Sequence, residues 1–350
     1  MRALLTGTSI ALSCTLAQLL DHIGDAVTGR ARLVPMQSDA LVSFLAPGGV
    51  LVLDGGLATQ LEAQGADLSD RLWSARLLAE DPEAIVRAHL AYFRAGARVA
   101  TTASYQATFE GFAARGIGHE EAAALLRRSV ELAAVARQRF RAERAAAGMP
   151  DPGPLFVAAS IGPYGAMLAN GAEYRGRYGL TVDELAAFHR ERLAVLAATD
   201  ADVLAAETIP ELDEAVAIAG LLDETPGARA WIAFSCADGG HLRSGVPIET
   251  AIEAVEGSHQ VVAVGINCTA PEHVESLVRR ARAVTAKPIV VYPNSGEGWD
   301  AAARRWTGAR AGRVDAAAAR RWHAAGASLI GGCCRVTPDQ IALLAGAFRD

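Results

Sequence analysis

A chain of 350 residues, 51% apolar and 21% charged, has the composition of a globular protein and is long enough for one large core or two average domains. Its formal charge of −6 argues against nucleic acid or an anionic membrane as the main partner, since both call for a basic surface. Five cysteines in this length do not make a disulfide framework, and their positions after apolar runs suit a reducing compartment, so a cytoplasmic location is expected.

Residues 1–35 stand apart. An apolar run over residues 3–20 is broken by several polar residues, carries one basic residue before it and has no small-residue cleavage site ahead of Asp21 and His22. It is a poor export signal. Met36 opens a more ordinary start, so residues 1–36 read as a dispensable extension or an upstream start, and residues 37–350 as one catalytic domain.

From residue 50 onward a short apolar run ending in a small or polar residue alternates with a longer helical stretch. Strands are expected at 50–53, 99–103, 155–159, 203–206, 230–234, 261–266, 289–292 and 328–330. Between the first two, a helix over 82–95 is closed by Gly96; a longer one runs over about 120–147. Thr181, with Glu184 three positions later, has the capping-box pattern of a helix start. Eight such units without a linker predict a single closed (β/α)8 TIM barrel; an open doubly wound sheet is the alternative. In a barrel the residues that end each strand converge on one rim, so Asp54, Glu207, Asn267, Cys268, Cys333 and Cys334 would face one cavity.

The most informative stretch is Gly331-Gly332-Cys333-Cys334. Adjacent cysteines have poor geometry for a mutual disulfide, whereas a soft metal explains the pair if a third ligand exists. Cys268 ends its own apolar run and is the best candidate. It lies 65 positions before Cys333, so barrel closure rather than a local finger would assemble the set. The competing reading is three packed cysteines behaving as small apolar residues. Three thiolates on one Zn2+ per chain favour binding a further thiol as thiolate over activating water, so the fourth position would take a substrate sulfur.

Asp54-Gly55-Gly56 sets a carboxylate before two backbone N–H groups, a pairing able to hold both ends of an amino acid, although such a stretch is more often only a tight turn. Glu207 ends a buried run and needs a partner, either a salt bridge or a substrate ammonium. Cys236 reads as a small buried side chain. His89, His189 and His323 read as surface or packing residues, and no nucleotide loop or nucleophile elbow is present.

The stretches LDGGLATQLEAQG (53–65), LWSARLLAEDPE (72–83), TASYQATFEGFAARG (102–116), SIGPYGAMLANGAEYRG (160–176), ETIPEL (207–212), GINCTAPE (265–272), VVYPNSGE (290–297) and LIGGCCRVTP (329–338) together resemble the homocysteine S-methyltransferase family, in its bacterial branch using S-methylmethionine or S-adenosylmethionine. The resemblance covers roughly residues 45–350. It implies a TIM barrel with zinc on Cys268, Cys333 and Cys334, homocysteine as acceptor, and methionine as product. Asp54 and Glu207 would contact the substrate amine, the amides around Gly55 and Gly56 its carboxylate, and Trp73, Thr102 and Tyr105 would line the substrate and donor pocket. Aromatic faces such as Trp73 and Tyr105 would hold the sulfonium by cation–π attraction. A sister enzyme with a selenocysteine acceptor or another donor, and a non-catalytic zinc or redox regulator, are the rivals. A monomer is expected.

Overall fold

The structure, a computed structural model, describes Leu41, Ser43 and residues 49–68, 72–300, 305–307 and 314–348, which all fall in one compact unit. The expected N-terminal extension lies outside the described residues. The barrel strands are β1 (Leu51–Val52), β2 (Val99–Thr101), β3 (Phe156–Ile161), β4 (Val203–Ile209), β5 (Ala230–Phe234), β6 (Val261–Asn267), β7 (Ile289–Tyr292) and β8 (Ala327–Ile330). All pair in parallel, in the order β1-β8-β7-β6-β5-β4-β3-β2. The ring closes where Arg98 N–H donates to Val52 O at 2.7 Å. The closed barrel, not the open sheet, is the architecture.

Two apolar layers follow from the strand period of two. Leu51, Val99, Phe156, Ala158, Val203, Ala205, Trp231, Ala233, Val290 and Leu329 fill the barrel, and Leu41 is buried against them. The alternate residues, such as Val52, Ala100, Val157, Leu204, Ile232, Val264 and Ile330, pack outward against the helices. Trp231 is wholly buried in the inner layer, and its indole N–H donates to Tyr292 Oη at 3.0 Å, so the ring brings no unsatisfied donor into the core.

The helices start and stop as their sequence dictates. Pro82–Ala95 begins with the Asp81 side chain accepting from Ala84 N and ends at Gly96 with φ of 105°, a left-handed position that favours glycine. Such a cap is worth about 1 kcal/mol. The long helix is His119–Ala146, and both halves of the expected capping box at Thr181 and Glu184 are formed. One element was not anticipated: an antiparallel hairpin of Gly298–Asp300 with Arg305–Thr307 lies between β7 and the helix Ala316–Ala325. Among the described residues no helix is long and apolar enough to cross a membrane.

β6 and β7 approach so closely that a Cβ on Gly265 would sit 1.8 Å from Val290 O. Gly265→Ala should therefore destabilise the barrel by at least about 1–3 kcal/mol, or prevent folding, because backbone and not a flexible side chain blocks the methyl group. Urea denaturation measures this; an unchanged midpoint would contradict the close approach.

Candidate metal centre and substrate cavity

Extending the inward register of each strand to its C-terminal end gives Thr101, Ser160, Glu207, Ser235 and Tyr292, and these surround the cavity. Cys268 follows β6, and Cys333 and Cys334 follow β8. Their sulfurs are 3.2 Å (Cys333–Cys268), 3.7 Å (Cys268–Cys334) and 3.9 Å (Cys333–Cys334) apart. None is in a disulfide. A tetrahedral ion with bonds of ~2.3 Å to sulfur has ligand–ligand edges of ~3.8 Å. The three thiols match that spacing, and among the described residues they are the group of this kind able to hold a metal.

The backbone that presents them is tightly constrained. Cys268 has φ of 47°, a strained conformation for a residue with a Cβ, and its N–H donates to Tyr292 O at 3.2 Å. The turn after β8 is tied to three elements: Gly332 N–H to Asp54 O at 3.0 Å, Cys333 N–H to Pro293 O at 2.7 Å, and Gly56 N–H to Val336 O at 3.0 Å. A Cβ on Gly56 would meet Cys333 O at 2.7 Å, and one on Gly55 would meet Val336 O at 2.6 Å. The two glycines thus let the cysteine turn dock against the end of β1.

As bare thiols the three cannot all ionise. Hydrogen bonds from Cys333 and Cys334 pull Cys268 well below the ordinary thiol range, and the bonds those two make to Cys268, with its charge, push both of them above it. Tyr174 Oη lies 3.5 Å from Cys268 Sγ. A divalent cation resolves this conflict by drawing charge from all three sulfurs at once.

Two carboxyls occupy the same rim with no cation paired to them among the described residues. Burial raises Asp54 to about 8, with Glu207 nearby adding to the effect, and burial raises Glu207 to about 7. Glu207 accepts from Ser160 Oγ–H and shares a hydrogen bond with Tyr292. Asp54 accepts from Thr101 N–H at 2.7 Å and Thr101 Oγ1–H at 2.9 Å, so it also secures the seam between β1 and β2.

The expected site residues separate at this level. Cys268, Cys333, Cys334, Asp54, Glu207 and Tyr105 come together. Burial keeps the Tyr105 phenol neutral, and it lies within electrostatic reach of Cys268, Glu173 and Glu207. Gly56 N–H is already bonded to Val336 O, which leaves the Gly55 N–H as the amide with no hydrogen-bond partner among the described residues. Asn267 does not offer its amide to the cavity: its Oδ1 accepts from Thr208 N–H at 2.6 Å and its Nδ2–H donates to Thr208 Oγ1 at 2.8 Å. Thr208 has φ of 63° and sits in a bulge of β4, so Asn267 holds the strained residue that aims Glu207. Thr102 faces away, bonded to Ser104 Oγ and Ser160 N; its neighbour Thr101 takes the inward position. The Trp73 side chain lies outside the described residues. Cys236 is buried, and its thiol is pushed up to about 12 by burial, which makes it inert packing.

Sequence reasoning missed several contributors. Thr101 and Ser160 were findable by anchoring the period of two at Val99 and Ala158. Glu173, Tyr174 and Arg243 come from loops whose course no periodicity reports. His189 was read as packing and is more: it joins Glu214 (2.8 Å) to Arg192 (2.8 Å), while Arg192 donates to Gly162 O (2.6 Å) and Glu214 accepts from Tyr164 N–H (2.6 Å). This buried network pins Gly162, whose missing Cβ makes room for Tyr105.

Two outcomes are expected. Purified protein should carry about one divalent metal per chain by elemental analysis, and Cys268→Ser should lower that content to background. Metal-free protein should lose stability as pH rises from 3.8 through about 8, because folded Asp54 binds its proton more tightly than the unfolded chain does. Glu207 acts in the same direction, so Asp54→Asn should flatten but not abolish the slope. Thermal melts across this range that show rising stability would contradict the assignment.

The homocysteine S-methyltransferase family model matches residues 51–348. The chain is 50% identical over 301 residues to the homocysteine S-methyltransferase YbgG of Bacillus subtilis (strain 168), covering 86% of this chain and 95% of that protein. It is 47% identical over 305 residues to the selenocysteine Se-methyltransferase of Brassica oleracea var. italica, covering 84% and 87% respectively. The metallated form of the homocysteine methyltransferase MmuM from Escherichia coli superposes with a TM-score of 0.78 at 45% identity, over 89% of this chain and 99% of that one. With the three-thiol rim and the closed barrel, this places the chain in the homocysteine S-methyltransferase family.

Proposed function

We propose that this enzyme moves a methyl group from a sulfonium donor, S-methylmethionine or S-adenosylmethionine, to the thiol of homocysteine, forming methionine. The observation that carries the reading is the juxtaposition of three thiols at tetrahedral spacing with two buried carboxyls that have no paired cation among the described residues. The metal we assign to Cys268, Cys333 and Cys334 is zinc, one per chain, which when bound would keep the acceptor thiol ionised at neutral pH.

The rest is work for the chain's own residues. An α-ammonium between Asp54 and Glu207 would satisfy both carboxyls and draw them back to the ionised state. The Gly55 N–H is available to the acceptor carboxylate. Tyr105 and Tyr174 flank Cys268 as neutral phenols, held so by burial, and their rings would shield the methyl group's path from water. The reaction is an in-line displacement: the acceptor sulfur forms the new C–S bond, the donor's C–S bond breaks, and its electron pair returns to the donor sulfur as a neutral thioether. The leaving group needs no proton, which fits a rim whose carboxyls serve binding. Alignment and ionisation of the nucleophile would supply most of the rate enhancement.

A selenol acceptor is chemically compatible with the same rim, so the acceptor panel should include selenocysteine. Methionine formation from homocysteine and each donor, followed by chromatography, tests the reading. Cys333→Ala should abolish turnover while leaving the circular dichroism spectrum intact. Protein that holds about one metal per chain yet moves no methyl group from either donor would overturn it.

A further inference from the structure

The charged groups at the cavity rim are mostly carboxyls and thiols, and Arg243 carries the opposite sign. Arg243 lies in the loop after β5, half-buried, with its guanidinium carbon 5.4 Å from the centre of the Tyr174 ring. Tyr174 in turn reaches Cys268. Among the described residues no carboxylate pairs with Arg243; its side chain makes a single hydrogen bond, Nε–H to Ser235 Oγ at 3.2 Å. The terminal nitrogens, the half of the fork that grips carboxylates bidentately, are uncommitted.

The position is built into the loop. Arg243 N–H donates to Ser235 O at 3.0 Å, Leu242 N–H to Val246 O at 2.8 Å, and Ser244 N–H to Pro210 O at 3.0 Å, while Leu242 beside it is fully buried. Arg177 donates to Ser244 O at 2.7 Å, tying this loop to the segment that carries Glu173 and Tyr174. Glu173 is 8% exposed, and its Oε2 has no hydrogen-bond partner among the described residues. Within electrostatic reach of Cys268 the protein therefore holds a guanidinium with two uncommitted nitrogens and a carboxyl with an uncommitted oxygen, and the two are not paired with each other. Leaving both unmatched is costly unless a ligand bearing both charges completes them.

We propose that Arg243 binds the carboxylate of the methyl donor, with Glu173 facing its positive end, and so restricts the enzyme to sulfoniums that carry an α-amino-acid group. This rests on the methyl-transfer reading above. The acceptor's ammonium already has Asp54 and Glu207, on β1 and β4, whereas Arg243 and Glu173 belong to the loops on the Tyr174 side of Cys268. The guanidinium also covers one face of Tyr174, so a sulfonium has the remaining aromatic surface, Tyr105 included, rather than that face.

The test compares S-methyl-L-methionine with its carboxylate-free analogue, (3-aminopropyl)dimethylsulfonium, in wild-type and Arg243→Gln enzyme at saturating homocysteine. Wild type should prefer S-methylmethionine. The substitution should lower kcat/KM for S-methylmethionine by about 10- to 100-fold, mainly through KM, while changing the analogue's kcat/KM by less than about 2-fold and leaving the KM for homocysteine unchanged. Arg243→Lys should recover part of the loss. Equal losses with both donors would overturn the proposal in favour of a structural role or an effect on the thiolates, and a raised homocysteine KM would transfer Arg243 to the acceptor. Failure of wild type with both of these compounds and with S-adenosylmethionine would instead sink the methyl-transfer reading, so the two failures are distinguishable.

Discussion

Everything at the rim depends on docking the turn after β8 against the end of β1. Gly332 N–H bonded to Asp54 O, Gly56 N–H bonded to Val336 O, and Cys333 N–H bonded to Pro293 O hold two cysteines where the third, from β6, can meet them. Those bonds exist only because the sheet has curved round until its first and last strands touch. The metal site is thus a consequence of barrel closure, and the same hydrogen bonds carry Asp54 into the cavity. Since Gly55 and Gly56 permit the approach, the motif that looks like a substrate grip is also a packing device.

The electrostatics follow one pattern. Burial, with neighbouring negative charge adding to it, drives Asp54, Glu207 and Glu173 upward, and a crowd of three thiols divides into one that ionises and two that resist. Each departure marks a group placed in low dielectric without its natural partner, and the partners required are a divalent cation and ammonium or sulfonium groups. Arg243 reverses the sign and calls for a carboxylate.

Strain is concentrated at the same rim. Cys268 and Thr208 both adopt left-handed backbone at strand ends, and a β-bulge in β4 accompanies the second. Asn267 bonds Thr208 at two points, so it helps to keep Glu207 aimed. The His189–Glu214–Arg192 network does similar work beneath Gly162 and Tyr105. Stability lies in the two apolar layers, while the rim holds conformations that those layers make tolerable.

The sequence by itself determined the alternation of strands and helices, the barrel, and the three cysteines. Apolar periodicity and capping residues are local signals, and a vicinal cysteine pair has few chemical uses. Strand ends were legible to within a few residues, except β4, where the bulge extends pairing past Glu207 to Ile209. Tertiary structure decided which side chain of each pair faces inward: Thr101 and not Thr102, because a shift of one residue in a strand reverses the face. It decided that Asn267 and the Gly56 amide were already engaged, since their partners lie 59 and 280 positions away. It also brought Glu173, Tyr174 and Arg243 to the thiols, because a loop's path is set by what it packs on and leaves no periodic trace in the chain.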